Sequence, residues 1–145
     1  MTADGKPELL HAPLTARIIG AFYAVYNELG HGFLEAVYEK ALLLELQRNG
    51  LQVSRQEPIA VRYKGDIVGE YLADLVVENA VILELKATQR IDPIHEAQLL
   101  HYLRATDLEV GLLLNFGPKP EFRRLVFENR RKTISAFPRQ SAAKA

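Results

Sequence analysis

Asp74 and Glu84 stand ten residues apart, and Lys86 follows Glu84 by two. They lie in two short segments rich in Val, Leu and Ile, residues 71–77 (YLADLVV) and 81–86 (VILELK), separated by Glu78-Asn79-Ala80. That pattern reads as two strands joined by a tight loop, and strand alternation sorts their side chains onto two faces. Asp74 falls with Leu72 and Val76, while Glu84 and Lys86 fall with Ile82 and leave Leu83 and Leu85 to the opposite face. A three-residue loop pairs Val77 with Val81, which brings Asp74 directly opposite Glu84. Two carboxylates at ~4 Å repel by roughly 4 kcal/mol at an effective dielectric near 20, a cost that a cation between them removes. Oxygen ligands without Cys or a clustered pair of His point to Mg2+ or Mn2+ rather than zinc. Lys86 could then orient or deprotonate a water, or stabilise charge on a phosphate. The same residues also suit the solvated face of an ordinary antiparallel hairpin.

Two further clusters bear polar groups at helical spacing. Gln98 and Tyr102 share one helix face, where an amide and a phenol can hydrogen-bond a phosphate or a water, or line the edge of the core. Glu35 and Tyr38 are three apart, with Glu39 on the neighbouring flank, and an acid near a helix start is favoured by the dipole in any case. His31, His95 and His101 have no ligand spacing and read as structural or surface residues. No glycine-rich phosphate loop is present, which disfavours NTP hydrolysis and NAD chemistry.

The elements that must position these groups follow from periodicity. Residues 1–13 read as a flexible leader, and Thr15 as the N-cap of a helix whose stripe runs Ile18, Ala21, Phe22, Val25 and Leu29. After Gly30-His31-Gly32 a second helix carries Leu34, Val37, Tyr38, Ala41, Leu42 and Leu46 to a stop at Asn49-Gly50. Residues 51–87 predict an antiparallel meander, and Asp92-Pro93 opens a third helix to about Ala105. Residues 110–116 are an apolar run of strand length, and Phe122, Leu125 and Phe127 mark one more strand. The order is ααβββαββ, an α/β or α+β fold with a central mixed sheet flanked by helices. A single domain over 14–132 and a flexible tail over 133–145 complete the expected organisation.

Composition bounds the rest. With 145 residues, 48% hydrophobic and 25% charged, the chain can bury a core without disulfides, and it has no Cys. That excludes thiolate zinc sites and a cysteine nucleophile and fits a reducing, cytoplasmic setting. No signal-like or membrane-spanning stretch is evident. Net charge is zero, yet residues 119–145 hold eight basic and two acidic residues, so this end carries +6 and the rest −6. A basic surface beside an acidic body suits phosphate contacts on one side and gathered carboxylates on the other, and equally a solvated tail.

Gly32, Glu35 and Tyr38 in GFLEAVY resemble the signature of the GxxExxY protein family, and Asp74, Glu84-Leu85-Lys86 and Gln98 through Tyr102 resemble the motifs of the PD-(D/E)XK nuclease superfamily. The likeness spans about residues 15–128. It implies a restriction-endonuclease-like core and Mg2+-dependent (or Mn2+-dependent) hydrolysis of phosphodiester bonds in nucleic acid, DNA foremost. It also implies metal ligation by Asp74, Glu84 and the main-chain carbonyl of Leu85, with Glu35 as an added acid of the metal shell. Lys86 would position the attacking water, and Gln98, Tyr102 and Tyr38 would contact substrate. Homodimers are a family-level expectation. The alternative is a catalytically silent nucleic-acid-binding or protein-interaction module on the same fold. One departure is Ala73, where the motif has Pro before its Asp.

Overall fold

The computed structural model describes residues 10–132. The expected leader, apart from its last residues, and the expected tail lie outside the described residues. Helix α1 (Ala12–Leu29) begins earlier than Thr15. Pro13 suits a first helical turn, where no N–H partner is needed, so the helix starts before it. Thr15 is buried inside the helix, and its Oγ1 donates to the Ala12 carbonyl at 3.1 Å. Helix α2 (Glu35–Arg48) ends at Asn49, followed by Gly50 at φ 83°, as its Asn-Gly stop predicts.

Strands β1 (Val53–Tyr63), β2 (Asp66–Val77) and β3 (Val81–Lys86) form the expected antiparallel meander. The two-residue turn Lys64-Gly65 takes positive φ at both positions, and the second loop pairs Val77 with Val81. Helix α3 (Pro93–Arg104) is capped by Asp92, whose Oδ1 accepts from the Ile94 N–H at 2.9 Å, while the Asp92 N–H donates to Nδ1 of His95. His95 is thus a capping residue. α3 is the crossover that lets β4 (Val110–Phe116) run parallel to β3, and β5 (Pro120–Val126) returns antiparallel. The sheet order is β1-β2-β3-β4-β5. This is the α+β architecture with a five-stranded mixed sheet that the periodicity predicts.

Two cores sandwich the sheet. On one face, Ile18, Phe22 and Val25 of α1 and Tyr38, Leu42 and Leu46 of α2 pack on Leu75, Leu83, Leu85, Leu112 and Leu114. On the other, Leu99, Tyr102 and Leu103 of α3 pack on Val76, Ile82 and Leu113. β4 is buried along its whole length, which explains its unbroken apolar run. Beyond Leu75, β2 has no ladder to β3 and continues with β1 as a two-stranded ribbon. At the far end of the described residues Lys132 donates to the carbonyls of Thr106 and Leu108 and so ties the short turn Asn129–Arg131 to the exit of α3. Among the described residues no helix is long and apolar enough to cross a membrane.

Candidate functional site

The β2–β3 ladder runs Val77–Val81, Val76–Ile82, Leu75–Leu83 and then stops. Its register places Asp74 opposite Glu84, and there side chains replace main-chain pairing. The Leu85 N–H donates to Oδ2 of Asp74 at 2.8 Å, and the Asp74 N–H donates to Oε2 of Glu84 at 3.2 Å. On the other side of β2, pairing passes from Arg55–Leu75 to Glu57–Ala73. Gln56, at the position facing Asp74, sits in the left-handed region at φ 51°. The break corrects the face assignment read from alternation. Ala73 and Val76 both pack on the α3 side and Leu75 on the other, so the strict alternation read from the sequence fails between Ala73 and Val76.

Both acids are driven toward their protonated forms. Burial raises Glu84, 7% exposed, from the usual carboxylate range to about 8, with the Asp74 charge second and the Asp74 N–H and Lys86 opposing. Burial likewise raises Asp74 against the Leu85 N–H, and the charges of Glu39 and Glu35 push the same way while that of Lys86 opposes them. Lys86, half-buried, follows on the same strand. The pair has the chemistry of an unfinished cation site: a buried and an adjacent half-buried carboxylate whose mutual repulsion a divalent ion would relieve, with oxygen donors suited to Mg2+ or Mn2+. The residues present therefore fit such an ion.

Glu35 does not complete it. At the first turn of α2 it is exposed, and its charge reaches both acids, yet among the described residues no three His, Cys, Asp or Glu side chains converge on one point. Tyr38 departs further from the role expected of it. It is wholly buried, stacked on Phe116 at 4.3 Å, and its hydroxyl donates to the Gly30 carbonyl at 2.5 Å and accepts the Phe33 N–H. A ring so enclosed locks the Gly30-Gly32 corner and does not face substrate. Leu85 buries its side chain under α1 and α2, and only its main chain adjoins Asp74.

Tyr102 and Gln98 lie on the side of α3 that faces the β1–β2 ribbon. Burial pushes the Tyr102 hydroxyl up to about 12, helped by the charge of Glu84 and by Tyr71 and Asp74, so the phenol stays a proton donor beside the carboxylates. Sequence reasoning missed three residues here. Arg55 pairs with Glu39 at 3.2 Å, and Gln56 Nε2 donates to the same carboxylate at 3.1 Å, so the distorted stretch of β1 is fastened to α2 behind Asp74. Tyr71 meets Tyr102 with ring centroids 5.4 Å apart. Pro58, two residues after Gln56, was the one local hint of irregular pairing. The basic C-terminal residues expected to meet phosphate are in part engaged elsewhere: Arg123 pairs with Glu96 at 2.9 Å, Arg124 donates to the Leu10 carbonyl, and Arg131 lies over Phe127. Arg139 and Lys144 lie outside the described residues.

Residues 12–125 match the family model described as the PD-(D/E)XK nuclease superfamily. No curated protein matches the chain. Among solved structures, the crystal structure of SSO0001 aligns at a TM-score of 0.52 and 17% identity over 64% of this chain, which spans 50% of that one. At that identity the likeness concerns the fold.

Proposed function

Because this chain belongs to the PD-(D/E)XK nuclease superfamily, we propose that it is a Mg2+- or Mn2+-dependent hydrolase of phosphodiester bonds in nucleic acid, with DNA the expected substrate and the GxxExxY proteins its nearer kin. The observation that carries this reading is the break in pairing at Asp74 and Glu84, where a half-buried and a buried carboxylate meet with Lys86 next along the strand. Asp74 and Glu84 would hold the ion, with the Leu85 carbonyl as a further oxygen donor, and Glu35 adds negative charge at longer range. Bound there, a divalent cation supplies Lewis acidity toward a phosphate oxygen. The Lys86 ammonium balances the two acids and orients the attacking water, while Tyr102 and Gln98 donate hydrogen bonds to the phosphate and its sugar. The absence of Cys suits a cytoplasmic setting.

The test is calorimetric titration of Mg2+ and Mn2+ into the wild type and Asp74→Ala, with each sample incubated with single- and double-stranded DNA and RNA. Metal binding and cleavage lost together in the variant support the reading. A wild type that binds neither ion refutes it and leaves a nuclease-like scaffold that binds nucleic acid or protein.

A further inference from the structure

A groove of about 560 Å³ opens between α3 and the β1–β2 ribbon, beside the carboxylate pair and joined to it through Tyr102. Its polar and aromatic lining is Arg62, Tyr71, Gln98, His101, Tyr102 and Arg104, the rest of the wall is apolar, and no carboxylate among the described residues lines it. Asp74 and Glu84 thus lie outside it, while two arginines flank it: Arg62, whose Nη1 also donates to the Gly65 carbonyl at 3.3 Å, and Arg104, whose guanidinium also lies over the Phe127 ring at 5.7 Å. Tyr71 is 46% exposed, with part of its ring against Tyr102 and the remainder open to the groove.

We propose that this groove holds an unpaired nucleotide of a nucleic-acid strand, its base stacked on Tyr71 and its phosphates facing Arg62, His101 and Arg104. The proposal rests on the hydrolase reading of the adjoining site and specifies its substrate as single-stranded at that position. Three features argue for it. The volume falls in the range that encloses a small organic group such as a single base. An aromatic face framed by Arg residues is the pairing of stacking surface and backbone electrostatics that single strands use, because every base has a π-face and every linkage a charge. A base inside a duplex keeps both faces stacked on its neighbours, so the Tyr71 ring is available only to a base that has left the stack.

The groove is tested by binding without turnover. Fluorescence anisotropy of labelled oligo-dT, oligo-rU and a duplex of equal length is measured in EDTA, with full-chain wild type, Tyr71→Ala and Tyr71→Phe, circular dichroism confirming that both variants fold. Tyr71→Ala is expected to weaken single-strand binding by about five- to a hundredfold while Tyr71→Phe stays within about threefold of wild type. Preference for dT or rU then identifies the strand. Unchanged single-strand affinity in Tyr71→Ala, equal loss for duplex, or equal retention of a polyglutamate peptide would overturn the proposal. Cleavage in Mn2+ is scored separately on nicked and duplex substrates, so a protein that cuts nucleic acid without the Tyr71 dependence refutes the groove alone. One that binds single strands through Tyr71 but never cuts refutes the hydrolase reading alone.

Discussion

Replacing Glu84 with Gln removes a charge from the place where the fold tolerates it least. With its pKa raised from 4.5 to about 8, the folded protein holds a proton that the unfolded chain releases. Between those two values the native state binds more protons than the unfolded state, so the contribution of Glu84 to metal-free stability is full below pH 4.5 and falls as pH rises toward 8. Each tenfold change in protonation is about 1.4 kcal/mol, so between about pH 5 and pH 8 the loss is on the order of 3 kcal/mol, reduced if the neighbouring Asp74 shares the proton. The amide introduced by Glu84→Gln keeps an oxygen to accept the Asp74 N–H and has no charge to desolvate. Urea unfolding in EDTA reads the difference. At roughly 2 kcal/mol per molar urea, the wild-type midpoint should drop by about 1.5 M from pH 5 to pH 8 relative to Glu84→Gln, which should be the more stable protein at pH 8. Saturating Mg2+ or Mn2+ at pH 8 should restore the wild type and leave Glu84→Gln little changed, because a ligand stabilises only the state that binds it. Parallel pH profiles for the two proteins in EDTA would refute the claim that burial and Asp74 hold Glu84 protonated.

Three other substitutions separate chemistry from scaffolding. Lys86→Met should lower cleavage by about a hundredfold or more while calorimetry finds Mg2+ affinity undiminished, since Lys86 acts on the water and not on the ion; equal loss of metal affinity would assign it to the metal shell. Tyr38→Phe leaves the Gly30 carbonyl and Phe33 N–H without their partner, so urea unfolding should show a loss of about 1–3 kcal/mol with cleavage per folded molecule unchanged. A selective rise in KM would instead return Tyr38 to substrate binding. Gly117→Ala places a Cβ 2.0 Å from the Thr88 carbonyl oxygen, a backbone atom that cannot yield, and should lower Tm by several degrees on a loss of about 2–3 kcal/mol. A melt within about 1 °C of wild type, the scatter of such a measurement, would show that the Asn115-Thr88 latch beside it moves freely.

The carboxylate pair was legible because its position depends on local arithmetic. A loop of three residues and a side-chain period of two bring Asp74 and Glu84 together, and the observed register is the one this requires. Asp92-Pro93 and the apolar run of β4 were legible for the same reason, since caps and burial on both faces leave marks within a few residues. What failed depends on contacts distant in sequence. Tyr38 sits at a spacing that fits a site, but Phe116, far along the chain on β4, draws its ring into the core. The irregular pairing opposite Asp74 lies at Gln56, which is left-handed and hydrogen-bonded to Glu39 of α2, and beyond Pro58 nothing local marks it. The basic end promised phosphate contacts, yet Glu96 and the Leu10 carbonyl claim two of its guanidinium groups. Charge counted along the chain does not reveal which charges are already paired.

The break in the sheet and the acidity of the site are one feature. Had the ladder continued through Asp74 and Glu84, the N–H groups of Asp74 and Leu85 would face strand carbonyls, and neither carboxylate would receive the main-chain hydrogen bond it now accepts. The strand pairing given up there supplies a donor to each acid, which opposes but does not overcome the effect of desolvation. The remaining cost is borne by the dense leucine core beneath, where Leu75, Leu83 and Leu85 flank the acids in sequence and pack under α1 and α2. The same break frees β2 from β3 beyond Leu75, so the ribbon diverges and leaves the groove in which Tyr71 stands open beside Tyr102. A substitution that repaired the pairing, Gln56→Val with its strong preference for negative φ, should therefore stiffen the sheet, lower the affinity for divalent ions and narrow the groove together. Separate responses of metal binding and single-strand binding to that one change would show that the two sites are built independently.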